Sequence, residues 1–125
     1  MIPRRRAREK MGLRESSRIE CQPHRKWVRG FECCAAKALR EGLTGKGVIP
    51  CGGLMTTHHS KTRGAWGGDE TVVPLCWDHH MQLDSPGWSQ RKFEEVYRTD
   101  FAKTATELWQ KSRARINYER KKERT

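Results

Sequence analysis

Apolar positions along the chain come in short, interrupted runs. Residues 1–19 hold few of them and read as an arm without a core-forming stripe. A short helix is expected over residues 23–29, with Pro23 in its first turn, Gly30 as its stop and Trp27 facing the core. Residues 33–43 carry Ala35, Ala36, Ala38 and Leu39 and read as helical until Gly42, Gly45 and Gly47 intervene. Residues 48–49 and 54–57 are β-prone runs on either side of Pro50-Cys51-Gly52-Gly53, a hairpin-like pattern whose turn carries a cysteine. After a glycine-rich loop over residues 60–70, Thr71-Val72-Val73 forms a third β-prone run. Pro74 then suits the first turn of a helix reaching Leu83, which Ser85-Pro86-Gly87 ends.

Two further helices follow. Ser89 is a good N-cap, Trp88 and Phe93 fit a hydrophobic staple across it, and Phe93, Val96 and Tyr97 recur at helical spacing. Asp100 caps a last helix on which Ala102, Ala105, Trp109 and Ile116 share a face, and whose charged end projects into solvent. Helices and short strands in this mixture predict an α+β domain.

Charge changes the picture at both ends. The 125 residues include 26 Lys and Arg against 15 Asp and Glu, a net charge of +11. Residues 1–30 carry +7 and residues 89–125 carry +5, while residues 61–88 carry −2. Two basic arms flanking a slightly acidic centre favour nucleic-acid phosphates. No stretch is long and apolar enough for a membrane span, and no apolar run follows Arg4, Arg5, Arg6 and Arg8 as a secretory signal requires. Five cysteines (Cys21, Cys33, Cys34, Cys51, Cys76) are an odd number for a disulfide framework, so metal ligation is the better use for them.

The candidate chemistry lies in the centre. Cys76 and His79 are i and i+3 on one helix and face one way; His80 and Asp84 are i and i+4 on another face. One helix thus serves two sites. Cys76 and His79, completed by Cys51 and by Cys33 or its neighbour Cys34, make a tetrahedral set for structural Zn²⁺. His58, His80 and Asp84 make a second set for a catalytic divalent ion, with His59 left as a general base on water. Lys61 and Arg63, just beyond, are candidates for phosphate contacts.

These residues carry a resemblance. His58-His59, then Arg63-Gly64-Ala65-Trp66-Gly67-Gly68-Asp69, then Val72-Val73-Pro74-Leu75-Cys76-x-x-His79-His80 is similar to the HNH endonucleases, above all phage and prophage members such as the RecA-dependent recombination-enhancement nucleases. The resemblance implies a small ββα-metal core, a β-hairpin and a metal-bearing helix, flanked by additional α-helices. It divides the chain into a disordered basic arm (1–20), an HNH nuclease domain with a structural zinc site (21–110) and a basic helical extension (111–125). It makes His58 the first metal ligand, His59 the general base, His80 the histidine of the helix, and Cys76 and His79 parts of the zinc knuckle. Thr71 falls where the family has its middle Asn, and Asp84 where it often has His; an aspartate favours Mg²⁺ or Mn²⁺. The implied activity is hydrolysis of DNA phosphodiester bonds in a bacterial cytoplasm, with a recombinase filament or a phage protein as a partner. A zinc-stapled nucleic-acid-binding module without catalysis is the alternative that the departures at Thr71 and Asp84 motivate.

Overall fold

The computed structural model describes residues 19–62 and 65–124, so most of the basic arm lies outside the described residues, as does Arg63. Among the described residues six helices and four short strands follow one another: α1 (Gln22–Val28), α2 (Ala36–Arg40), β1 (Met55–His59), β2 (Lys61–Thr62), β3 (Ala65–Trp66), β4 (Val72–Cys76), α3 (Trp77–Leu83), α4 (Gln90–Tyr97), α5 (Phe101–Lys111) and α6 (Arg113–Arg124). A single 3₁₀ turn, Asp69–Thr71, leads into β4. The architecture is α+β, as expected.

The hairpin does not form where the β-prone runs suggested. Residues 48–49 are not a strand, and β1 pairs antiparallel with β4, from Met55 opposite Cys76 to His59 opposite Val72. Pro74 therefore sits in mid-strand, opposite Thr57, rather than in the first turn of a helix. The ladder explains why it is tolerated. Ser60 N–H donates to Thr71 O and Trp77 N–H to Leu54 O, in the same register at the two ends of the pair. Since hydrogen-bonded and non-bonded pairs alternate, Pro74 falls on a non-bonded position, where it has no ladder N–H to lose. Its carbonyl faces away from β1 and accepts from Cys34 N–H at 2.9 Å.

Every residue of β4 is buried, so its apolar run is that of a strand covered on both faces. Val73, Leu75 and Cys76 join Phe93, Tyr97, Phe101 and Ala105 in the main core, while Val72 packs with Val28 and Leu108 in a smaller cluster. Both predicted caps are made: Ser89 Oγ accepts from Lys92 N–H and Asp100 Oδ1 from Lys103 N–H, each at 3.1 Å. Trp88 packs on Phe93 with ring centroids 6.2 Å apart, as the staple requires.

Three expectations about faces are corrected. Trp27 is 36% exposed, and α1 buries His24 and Val28 instead, because a seven-residue helix offers only one narrow inner face. On α5 the buried stripe is Phe101, Ala105 and Leu108; Ala102 is exposed and Trp109 half-buried. The last helix is two helices. The backbone leaves helical geometry at Ser112 (ψ 123°), and Ile116, beyond that break, is largely exposed. Ser112 is itself buried and hydrogen-bonds His24 Nδ1 at 2.8 Å across the fold.

Candidate metal centre and histidine cleft

Four segments deliver one donor set. Cys33 precedes α2, Cys51 sits in the loop before β1, Cys76 ends β4 and His79 lies one turn into α3. Their ligand atoms all lie within 4.8 Å of one another; among the described residues no other group of three or more His, Cys, Asp or Glu side chains comes together in this way. A tetrahedral zinc with Zn–S near 2.3 Å spaces its ligands by about 3.5–3.8 Å, so the set needs little contraction to close on an ion.

The imidazole is already oriented for that task. His79 Nε2 lies 2.8 Å from Ile49 O, which can only accept, so Nε2 carries the proton. Nδ1 is left with its lone pair, 3.0 Å from Cys76 Sγ and 3.5 Å from Cys33 Sγ. Ile49 is held in turn, its N–H donating to Tyr97 Oη at 3.0 Å, and the Tyr97 ring packs edge-on against His79. Such outer contacts fix tautomer and ring direction at metal sites. Gly52 N–H also approaches Cys76 Sγ, at 3.5 Å, a contact that suits a thiolate. Burial, with Cys33 and Cys76 alongside, pushes the Cys51 thiol up to about 12. A divalent cation supplies the opposite charge and turns the same crowding into a ligand set. The residues therefore fit zinc, and Cys33, not Cys34, would be the fourth ligand. Cys34 is outside the group, and burial raises its thiol.

The turn at the end of this knuckle is set by glycine. Gly53 has φ +79°, and a Cβ there would lie 2.6 Å from Trp77 Cβ, so only glycine lets the loop close against the start of α3.

On the opposite side of β1 and α3, His58, His59, His80 and Asp84 line one cleft of about 710 Å³, together with Asp69 and Arg25. His58 is buried, its ring 5.4 Å from that of His80 and nearly perpendicular to it. Burial, and secondarily His80 beside it, lowers His58 to about 4, which keeps its imidazole neutral near pH 7. Thr56 Oγ1 donates its single proton to Leu75 O at 2.8 Å and so must accept from His80 Nδ1, 2.7 Å away. His80 Nε2 faces Asp84 Oδ2 at 3.9 Å, an ion pair when the imidazole is protonated and two acceptors turned toward each other when it is not. The second arrangement is one that a cation can bridge. Asp84 is 62% exposed, however, and the three side chains are neighbours without being drawn together as the zinc set is.

His59 lines the same cleft but pairs with a different acid. Its Nε2 lies 2.8 Å from Asp69 Oδ1. The other oxygen of Asp69 accepts from Cys21 N–H at 2.5 Å and is 3.2 Å from Arg25 Nε. Gly68 makes this possible: a Cβ there would lie 2.7 Å from both Ile19 N and Ile19 O, so the chain at Ile19 and Cys21 could not approach the turn that carries Asp69. The Thr71 hydroxyl donates to Gly68 O at 2.8 Å and closes the 3₁₀ turn that carries Asp69. The residues that sequence reasoning missed are Asp69 and Arg25. Asp69 stood within the quoted run as an acid after two glycines, but nothing in its spacing linked it to His59; Arg25 carried no signal beyond its charge. Lys61 lies on β2, just past the cleft.

No protein-family model, no curated protein and no solved structure matches this chain.

Proposed function

We propose that the protein is a metal-dependent DNA endonuclease of the HNH type. The observation that carries the reading is the cleft: one strand end and one helix bring two imidazoles and a carboxylate beside a third imidazole paired with a buried acid. The antiparallel pair β1–β4, followed directly by helix α3, supports the reading. His58, His80 and Asp84 would hold the ion, with Mg²⁺ or Mn²⁺ suited to the mixed nitrogen and oxygen donors. Once bound, it would stabilise the negative charge that grows on the scissile phosphate.

The chain's own residues do the rest. His59, whose Nε2 lies 2.8 Å from Asp69 Oδ1, is the general base. It takes the proton of a water that attacks phosphorus; the bond to the 3′ oxygen breaks, and that oxygen is protonated from solvent, leaving 5′-phosphate and 3′-hydroxyl ends. Arg25 offers the rest of its guanidinium to the cleft, and the basic side chains of α6 add affinity for the backbone that does not depend on sequence. The zinc centre holds α3 against the segment that precedes it.

Supercoiled plasmid, incubated with zinc-loaded protein and added Mg²⁺, Mn²⁺ or Ni²⁺, is expected to be nicked by the wild type. His59→Ala is expected to lower the rate by about 10²–10⁴-fold while leaving DNA binding intact. The exposure of Asp84 favours a second reading, a zinc-stapled module that binds nucleic acid without cutting it. Equal activity in both proteins, or none in either alongside tight binding, would select it.

A further inference from the structure

Asp69 is a buried carboxylate without a role in the sequence reading, and three groups converge on it. One oxygen accepts from Cys21 N–H and is ion-paired with Arg25, whose Nε lies 3.2 Å away, and His59 Nε2 has the other to itself. Cys21 and Arg25 come from the segment at the start of α1, outside the strand pair and helix that carry the other cleft residues. The carboxylate is 3% exposed, so water does not compete for it. Resting on the nuclease reading, we propose that Asp69 is the positioning residue for His59, an anionic partner clamped by Cys21 and Arg25 that selects the tautomer with Nδ1 free to accept a proton.

The clamp makes a prediction that a merely structural carboxylate would not. An ionised aspartate presents acceptors on both sides, to Cys21 N–H and the Arg25 cation on one and to His59 on the other. An asparagine has one acceptor and one donor group. Its oxygen will face the side with the Cys21 N–H and the positive charge of Arg25, and its NH₂ will face His59. His59 Nε2 must then accept, and the proton moves to Nδ1, the nitrogen that has to be basic. Asp69→Asn thus keeps shape and volume while inverting the imidazole. An inverted histidine in a comparable acid–base pair costs about 10⁴-fold in turnover with geometry preserved.

The experiment pairs nitrogen NMR of the His59 imidazole, which reads which ring nitrogen carries the proton, with plasmid nicking. Wild-type protein should show His59 protonated on Nε2, a measurement that needs no variant. Asp69→Asn should show it protonated on Nδ1 and should lose about 10²–10⁴-fold in kcat with KM for DNA little changed. Asp69→Glu, which keeps two acceptor oxygens, should retain the wild-type tautomer and recover part of the rate. A wild-type His59 protonated on Nδ1, or an Asp69→Asn protein that nicks at the wild-type rate, would overturn the inference while the nuclease reading stands. Wild-type protein that fails to nick with any of the three ions takes down the nuclease reading and the positioning role together, and is told apart from the first two outcomes by the wild-type rate itself.

Discussion

With His79 Nε2 bound to Ile49 O and Nδ1 turned to the thiols, two members of the Cys33, Cys51, Cys76 and His79 group have a neighbour of the same chemistry that is outside it. His80 adjoins His79 and lines the cleft; Cys34 adjoins Cys33. Adjacent residues can thus be separated by a single substitution. Cys34→Ser is expected to keep about one zinc per chain after purification in reducing buffer, as a complete four-ligand site should. Cys33→Ser is expected to weaken zinc retention by more than the roughly 10–100-fold that loss of a supporting partner costs. Metal analysis after dialysis against a competing chelator reads both, and the opposite order would mean that the ligand is misassigned. Spacing alone leaves these neighbours equivalent, since nothing in Cys33-Cys34 says which thiol turns inward. The Cys76-x-x-His79 half was legible because helix geometry puts i and i+3 on one face. Asp69 was not, because its partners His59, Arg25 and Cys21 meet only through tertiary packing.

At the scale of elements, the chain was legible wherever a local rule decides and illegible wherever a long-range partner does. Ser89 and Asp100 cap the helices they precede, since capping needs only the next three residues. The strand partner of β1 was misread because β4, some fifteen residues further on, competes for it with a run that is buried on both faces. The break at Ser112 was invisible for a related reason. Its hydroxyl is drawn out of the helix by His24 Nδ1 and also accepts from Arg115 N–H, so it joins α1 to the start of α6. Ser112→Ala should therefore cost about 1–3 kcal/mol in urea unfolding, because it strands a buried imidazole nitrogen as well as removing a cap. The same contact carries a pH dependence. Burial lowers His24 from its ordinary value, with Asp69 opposing more weakly. The native ring stays neutral where the unfolded ring, near pH 6.5, takes up a proton. The unfolded chain then binds more protons than the native one, so stability falls as pH drops below about 6.5 toward the native value. His58 and His79 are lowered in the same direction. His24→Gln should accordingly reduce that slope without removing it, which unfolding curves between about pH 7 and 5 can measure.

For the molecule as a whole, the decisive quantity is how little else holds the four ligand segments together. The main core has a few large side chains, chiefly Phe93, Tyr97, Phe101 and Leu75, gathered around a two-stranded sheet. A two-stranded sheet is marginal by itself. The loops that carry Cys33 and Cys51 have no strand or long helix of their own; the first joins the core through Cys33, Ala35 and the bond from Cys34 N–H to Pro74 O, and Cys51 is exposed. The net charge of +11 adds self-repulsion to this. Binding a structural zinc contributes on the order of 10–16 kcal/mol in small domains, comparable with or larger than the usual total stability of about 5–15 kcal/mol. Removing it should therefore unfold the domain rather than loosen one loop. Treatment with a strong zinc chelator under reducing conditions is expected to abolish the near-ultraviolet signal of the Trp residues and most helical ellipticity, and re-adding zinc should restore both. The cleft would be lost in the same step, because α3 carries His79 to the zinc and His80 to the cleft on successive residues. Nicking should thus vanish on chelation and fail to return with Mg²⁺ alone, recovering only when zinc is supplied as well. A chelated chain that keeps its melting transition would show instead that the aromatic core suffices, and that the four ligands are a passenger on a fold made without them.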